Sequence, residues 1–328
     1  MAIQMRNKRS TSFSMASMSD LVFLLLIFFM LTSTLVAPNA IKLLLPESQS
    51  KTMAKQTITV YINENYEYFL EDRPISEKEL IEEINGVKNA IANELLMKLR
   101  IIAQGGAIPS IVDADTSVGR TLETALGIDI NSSKEPDYKG IELKSFRSNR
   151  RNKKNLFAQV PDWNLSQFKS SAEILDNFGY WREKDFKLYC TVSTLTRNSQ
   201  GLTLRMDTDI KQLIENSDKP EIGDFVVWTL DKLHSRLLEK HRETFWVEAK
   251  STVIEGKEHF LYTEVEHTKK PIPSQFDILI EQGIITLDHL IKRNSKGKVI
   301  EKGPLFKIKP SGLDLLFPPS EHYNLIKN

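Results

Sequence analysis

Between Thr116 and Lys154 the chain reads TSVGRTLETALGIDINSSKEPDYKGIELKSFRSNRRNKK, and the middle of this stretch sets two acidic residues either side of a glycine. Ile141-Glu142-Leu143-Lys144 alternates apolar and polar residues, the pattern of a half-buried strand, so Glu142 and Lys144 share one face. Asp137 precedes Gly140, where a hairpin or bend brings it alongside Glu142. Two carboxylates and a lysine converging at a strand end suit metal-assisted phosphodiester hydrolysis. The carboxylates hold a hard cation such as Mg²⁺, and the lysine orients water or offsets charge on the phosphate. Such a strand is common on its own, so the flanks matter. Upstream, Gly119 to Gly127 reads as a short helix with a glycine C-cap, which places Glu123 as a third acidic group. Downstream, Lys144, Arg147, Arg150, Arg151, Lys153 and Lys154 form a basic run suited to phosphates.

The order VGRTLETALGI, PDYKGIELKS and LFAQVPDWNLS resembles the MvaI/BcnI group of restriction endonucleases, within the PD-(D/E)xK nucleases. The resemblance runs from about Asn89 to about Phe317. It implies an α/β fold, a mixed sheet flanked by helices, with Asp137, Glu142 and Lys144 catalytic and Glu123 an auxiliary acid. It also implies Mg²⁺ held by Asp137 and Glu142, double-stranded DNA as substrate, a short target site of the CC-x-GG kind, and a cognate DNA methyltransferase as partner. One departure stands out. Family members carry a histidine-bearing segment before a Gly-x-x-Phe-Arg-like strand that reads bases, whereas Lys298 to Lys307 holds no histidine. The target sequence is therefore not carried over with the chemistry.

A chain of 328 residues has room for one large domain and a smaller segment, or for two modest domains. Its net charge of +1 gives no argument for nucleic acid, which rests on local clusters. Cys190 is the single cysteine, which excludes an internal disulfide and a cysteine-rich zinc site, and it reads as a small buried apolar residue. The histidines show no metal-ligand spacing; His234 and His241 fall on one helix in surface or capping roles.

The N-terminus is of another kind. Leu21 to Ala37 contains no charged residue and, with the mild residues before it, reaches the roughly 20 residues that span a bilayer. Arg6, Lys8 and Arg9 precede it and orient the N-terminus to the cytoplasm, giving a single-pass inner-membrane protein. A signal peptide is the alternative. Asp20 sits at the edge of the apolar run, where a carboxylate is costly and usually functional, the alternative being that it only marks the helix boundary. SMSDLVFLLLIFFMLTSTL, followed by IKLLLP, resembles the ExbD/TolR proteins, which couple proton flow to mechanical work. The resemblance implies that Asp20 carries the proton and that an ExbB/TolQ-like protein is a partner. The ExbD-like pattern continues through strands at Ile58–Ile62 and Tyr66–Leu70 and an N-capped helix from Ser76 to Ile84, then stops near Gly86. Three regions result: a basic tail and membrane helix (1–40), a partial ExbD/TolR-like segment (41–86) and the endonuclease domain (87–328).

Insertion with the basic end inside puts the nuclease on the periplasmic side, away from the host chromosome. A membrane-tethered defence nuclease, an internal start at Met97 that leaves a cytoplasmic nuclease, and a fusion of two genes each resolve this conflict. An energy-transduction subunit with an appended nuclease domain is the rival function.

Past Gly86, Val87 to Ala103 carries Ile91, Leu95, Leu99 and Ile102 at helical spacing and ends at Gly105-Gly106. Strands are expected at Asn155–Val160, Phe186–Thr194, Leu202–Met206, Phe225–Trp228 and Ile284–Ile291, with a hairpin of Trp246–Ile254 and His259–Val265. Helices are expected at Ser170–Phe178, Leu230–His241 and Ser274–Gln282, and Trp163 and Phe168 read as core. Lys292 to Lys298 reads as a basic loop, and its match to the family's DNA-reading region makes Lys292, Arg293 and Lys298 candidate DNA contacts. The chain has no internal repeat, Walker-type phosphate loop or dinucleotide fingerprint.

Overall fold

The computed structural model describes residues 60–64, 66–70, 73–128, 136–148, 152–294, 296–301 and 303–326. The expected membrane helix, Asp20, Arg150 and Arg151 lie outside the described residues. Among those described, no helix is long and apolar enough to cross a membrane. The chain divides into two compact units, Met1–Lys88 and Asn89–Asn328.

In the first unit Val60–Ile62 (β1), Tyr68–Leu70 (β2) and Arg73–Ile75 (β3) form an antiparallel sheet in the order β1-β2-β3. A capping box opens the next helix: Ser76 Oγ accepts from the Glu79 amide at 3.3 Å, and Glu79 Oε2 accepts from the Ser76 amide at 3.0 Å. That helix, α1 (Glu77–Gln104), is one continuous element, not the two that a break at Gly86 would give. A helix-interior glycine costs about 1 kcal/mol relative to alanine, yet it keeps both backbone hydrogen bonds. The apolar periodicity on either side outweighs that cost.

In the second unit, the C-terminal part of α1 buries Leu95 and Leu99 and is followed by Ile108–Pro109 (β4) and Ser117–Ala125 (α2). Then come Glu142–Arg147 (β5), Lys154–Ala158 (β6), Ser171–Phe178 (α3), Tyr180–Arg182 (β7) and Asp185–Val192 (β8). Leu202–Asp207 (β9), Gln212–Ser217 (β10) and Asp224–Thr229 (β11) lead into Leu230–Lys240 (α4). Glu243–Ile254 (β12) and Lys257–Lys269 (β13) form the long hairpin, followed by Pro273–Glu281 (α5) and Ile285–Arg293 (β14). Val299–Glu301 (β15), Leu305–Ile308 (β16), Leu313–Leu316 (α6) and Glu321–Asn324 (β17) complete the unit.

One sheet runs β17-β13-β12-β5, with β4 on β13. Here β5 lies parallel to β12 and pairs Lys144 with Trp246. The second sheet runs β6-β16-β14-β8-β7, with β15 on β14, and the third is β11-β10-β9. Two apolar cores follow this division. Leu95, Leu99, Leu122, Ile141, Leu143, Phe245 and Phe260 belong to the core under the first sheet. Phe157, Ile174, Phe225, Trp228, Phe276 and Phe306 belong to the other, and Phe168 and Trp163 pack there as expected for core residues.

Two expectations need correction. Strand β10 was not anticipated, because Gln212 and Asn216 disguise the inward Leu213 and Glu215. The basic loop is shorter than expected, since Lys292 and Arg293 still belong to β14 and pair with β15. Cys190 sits half-buried on β8, its thiol pushed up to about 12 by burial and by the nearby Glu215 and Asp288 carboxylates, so it stays protonated.

Candidate active site

The site begins with a turn. Tyr138 and Ile141 exchange backbone hydrogen bonds of 2.9 and 2.8 Å, and the two residues between them, Lys139 and Gly140, have φ of +46° and +94°. Positive φ at both central positions gives the tight two-residue hairpin whose twist matches paired strands. Glu94 of α1 pins the turn by accepting from Tyr138 Oη and Lys139 Nζ, each at 2.7 Å. The hairpin folds Asp137 back onto the start of β5, where its Oδ2 accepts from the Leu143 amide at 2.9 Å. The bend expected at Gly140 therefore exists.

Glu142 is fully buried, at 0% exposure, and its Oε1 accepts a short hydrogen bond from Lys144 Nζ. Its Oε2 lies 2.8 Å from Lys240 Nζ as an ion pair but has no hydrogen bond of good geometry. Burial pushes the Glu142 carboxyl above the usual carboxylate range; Lys144 and Lys240 oppose that shift and Asp137 reinforces it. Glu123, half-buried on α2, is raised by burial first and then by the negative charges of Asp137 and Glu142. The structure thus brings Asp137, Glu142, Lys144 and Glu123 within electrostatic reach of one another.

Helix α2 is held against β5 by defined contacts. It ends in a Schellman motif: Gly127, at φ +72°, donates to the Thr124 carbonyl and Ile128 donates to the Glu123 carbonyl. Arg147 joins α2 to the sheet. Its guanidinium is bidentate to Glu258 at 2.7 Å and also donates to the Asp115 carbonyl at 3.0 Å and Ser117 Oγ at 2.8 Å. With four of five N–H donors used internally, Arg147 is a structural clip and not the open phosphate contact expected of it.

Lys144 opens onto a cleft of about 520 Å³ lined also by Arg147, Asn152, Lys153, Lys154, Asn155, Trp246, Asp288 and Lys307. Lys153 donates to Asp288 at 2.8 Å, Thr286 at 2.9 Å and Thr191 at 3.0 Å, which engages all three of its protons. Lys154 lies over the rings of Phe146 and Trp246 and pairs with Glu266 at 3.5 Å. Lys292, Arg293 and Lys298 are not in this cleft. Lys292 faces Asp185 at 3.9 Å, Arg293 donates to Asp176 at 2.5 Å, and Lys298 is exposed. Lys240, Lys307 and Asp288 escaped sequence reasoning. Their only signal was register: Lys307 and Asp288 alternate with buried strand neighbours, and Lys240 ends a helix.

Among the described residues no three His, Cys, Asp or Glu side chains are grouped to hold a metal ion. Two carboxylates are nonetheless a fitting donor set for Mg²⁺, which usually binds through one or two carboxylates plus water and substrate phosphate. The buried Glu142 Oε2, without a hydrogen bond, is an oxygen such an ion would satisfy.

Residues 96–317 match the MvaI/BcnI restriction endonuclease family, and residues 6–119 match the ExbD/TolR biopolymer transport proteins. No curated protein matches the chain. Among solved structures, the restriction endonuclease MvaI in complex with its cognate DNA substrate is similar. That likeness has a TM-score of 0.64 and 20% identity, covering 71% of this chain and 98% of the other. MvaI in the absence of DNA gives a TM-score of 0.42 at 20% identity, over 72% of this chain and 98% of the other. The family match spans most of the chain, and the turn, strand and lysine described above fall within it: the protein belongs to the MvaI/BcnI restriction endonuclease family of type II site-specific deoxyribonucleases.

Proposed function

We propose that this enzyme hydrolyses double-stranded DNA at a short specific site with Mg²⁺ held by Asp137 and Glu142. The observation that carries this reading is the hairpin that sets Asp137 beside Glu142 and Lys144, with Lys144 opening onto a basic cleft. Of the five cations that line this cleft, Arg147 and Lys153 are engaged within the protein, which leaves the ion-paired Lys144, Lys154 and Lys307 as the groups suited to a phosphate backbone. The related MvaI structure is a complex with DNA, which supports the same substrate. Bound Mg²⁺ would supply Lewis-acid stabilisation of the phosphate and a more acidic water. Lys144 orients the attacking water and offsets charge on the phosphate. Glu123 is an auxiliary acidic group beside the carboxylate pair, raised above the usual carboxylate range by burial and by Asp137 and Glu142. Lys154 and Lys307 contact phosphates and so position the duplex without reading its sequence. A cognate DNA methyltransferase would protect the host site.

We expect the purified full chain to linearise plasmid DNA with Mg²⁺, and Asp137→Ala or Lys144→Ala to abolish cutting. Cutting that survives both changes rejects this site.

The match at residues 6–119 supports a second element, an inner-membrane anchor at Leu21 to Ala37 with the N-terminus cytoplasmic. Asp20 would then carry a proton and an ExbB/TolQ-like protein would be its partner. Carbonate-resistant membrane association that disappears when residues 1–40 are deleted is the expected result; a full-length chain recovered in the soluble fraction removes the anchor.

A further inference from the structure

A second lysine, from a distant part of the chain, reaches the carboxylate that Lys144 already holds. Lys240 is the last residue of α4, and its Nζ stands 2.8 Å from Glu142 Oε2 with only 12% of the side chain exposed. Its place is fixed from behind. The next residue, His241, closes α4 by donating its backbone N–H to the Leu237 carbonyl at 2.9 Å. Its ring is buried and stacks on Trp246, with centroids 5.4 Å apart and planes 10° apart. Nε2 donates to the Leu156 carbonyl at 2.8 Å, so Nδ1 is the nitrogen that accepts from Thr244 Oγ1 at 3.0 Å. Burial and the nearby Lys144 charge bring this imidazole down to about 3, which keeps it neutral.

An ordinary buried ion pair needs one cation per carboxylate. Here two ammoniums flank a single glutamate, with Asp137 and Glu123 the other acidic groups nearby. A divalent ion on Glu142 would meet the same oxygen and the same surrounding charge.

We propose that Lys240 is the internal competitor of the divalent cation at Glu142, an ammonium that holds Oε2 and withdraws when the ion takes that oxygen. The ion and the ammonium are like charges on one oxygen, so each raises the cost of the other. This proposal rests on the metal-dependent reading above and assigns that reaction a further positioning residue.

The test is Mn²⁺ binding to the purified full chain at pH 8 without DNA, read as loss of the free-ion EPR signal. Lys240→Met should bind Mn²⁺ about tenfold tighter than the unmodified chain, because the competing charge is gone. Lys240→Arg keeps the charge and should stay near the unmodified affinity. Glu142→Gln should lose binding in either background, which locates the measured site. Lys240→Gln, with a polar end, replaces the methionine variant should the latter melt early. Affinity that is unchanged or weaker in the charge-removing variants overturns the proposal. If the unmodified chain cuts DNA while these variants bind no tighter, the competitor role alone falls. If it neither cuts DNA nor binds Mn²⁺, the nuclease site falls with it.

Discussion

Glu142 and Glu215 are both completely buried glutamates with cationic partners, yet they do opposite things. Glu215, on β10, accepts from His289 Nε2 with both oxygens at 3.0 Å, joining the β11-β10-β9 sheet to β14 of its neighbour. Neither of its oxygens is left over. Glu142 has two ammoniums, an oxygen without a hydrogen bond, and further acids beside it. Both glutamates met the cost of burying charge, but only Glu215 has both oxygens hydrogen-bonded, the buried atom without a partner there being His289 Nδ1 on the imidazole. The Glu215 pair fixes packing; the Glu142 cluster, beside a basic cleft, is where an ion and a phosphate can enter. Burial of a carboxylate is thus uninformative until its oxygens are accounted for.

The sharpest way to break that contrast is to neutralise each glutamate. Glu142→Gln should lower plasmid cleavage by at least about a thousandfold, while Glu215→Gln leaves the rate per folded molecule nearly unchanged. Equal losses of rate would erase the distinction. On stability the order should reverse. Glu215→Gln, leaving His289 without its partner, should cost about 3 kcal/mol in denaturant unfolding, more than Glu142→Gln does.

A smaller effect concerns pH. Burial disfavours charge on His289, but Glu215 outweighs it, so the imidazole sits above its ordinary value of 6.5. The stability from this pair is then fully present below the unfolded value and is lost as pH rises through the folded one. Melting temperatures taken from pH 6 upward should fall in the unmodified chain and flatten in the Glu215→Leu/His289→Leu double variant, which leaves neither buried group to titrate; a parallel decline in both removes the pair as the cause. Smallest of all, Gly140→Ala forces a side chain into the left-handed region at φ +94° and should cost about 1 kcal/mol, with a partial loss of cleavage. Full activity in that variant would mean the turn does not position Asp137.

What could be seen in the sequence was local. Gly140 announces a hairpin or bend, the alternation after it announces a strand, and Gly127 announces a helix end; each is decided by neighbours a few positions away. Lys240 could not be found that way, because it approaches Glu142 only once α4 packs and β12 pairs in parallel with β5. Arg147 failed for a related reason: its charge suggested phosphate, but Glu258 arrives from the far arm of the β12–β13 hairpin. Strand β10 stayed hidden because its glutamate points inward to a histidine distant in sequence, and Gly86 suggested a break that the helix around it overrides.

The two-residue turn at Lys139-Gly140 also limits what this stretch can tolerate over generations. Successive strand residues point to opposite faces, so one residue inserted or deleted between Asp137 and Lys144 would swing the carboxylate or the amine to the wrong side. Side chains here can drift as long as the count is kept. A single codon gained or lost would leave a folded protein with its reacting groups turned away from each other.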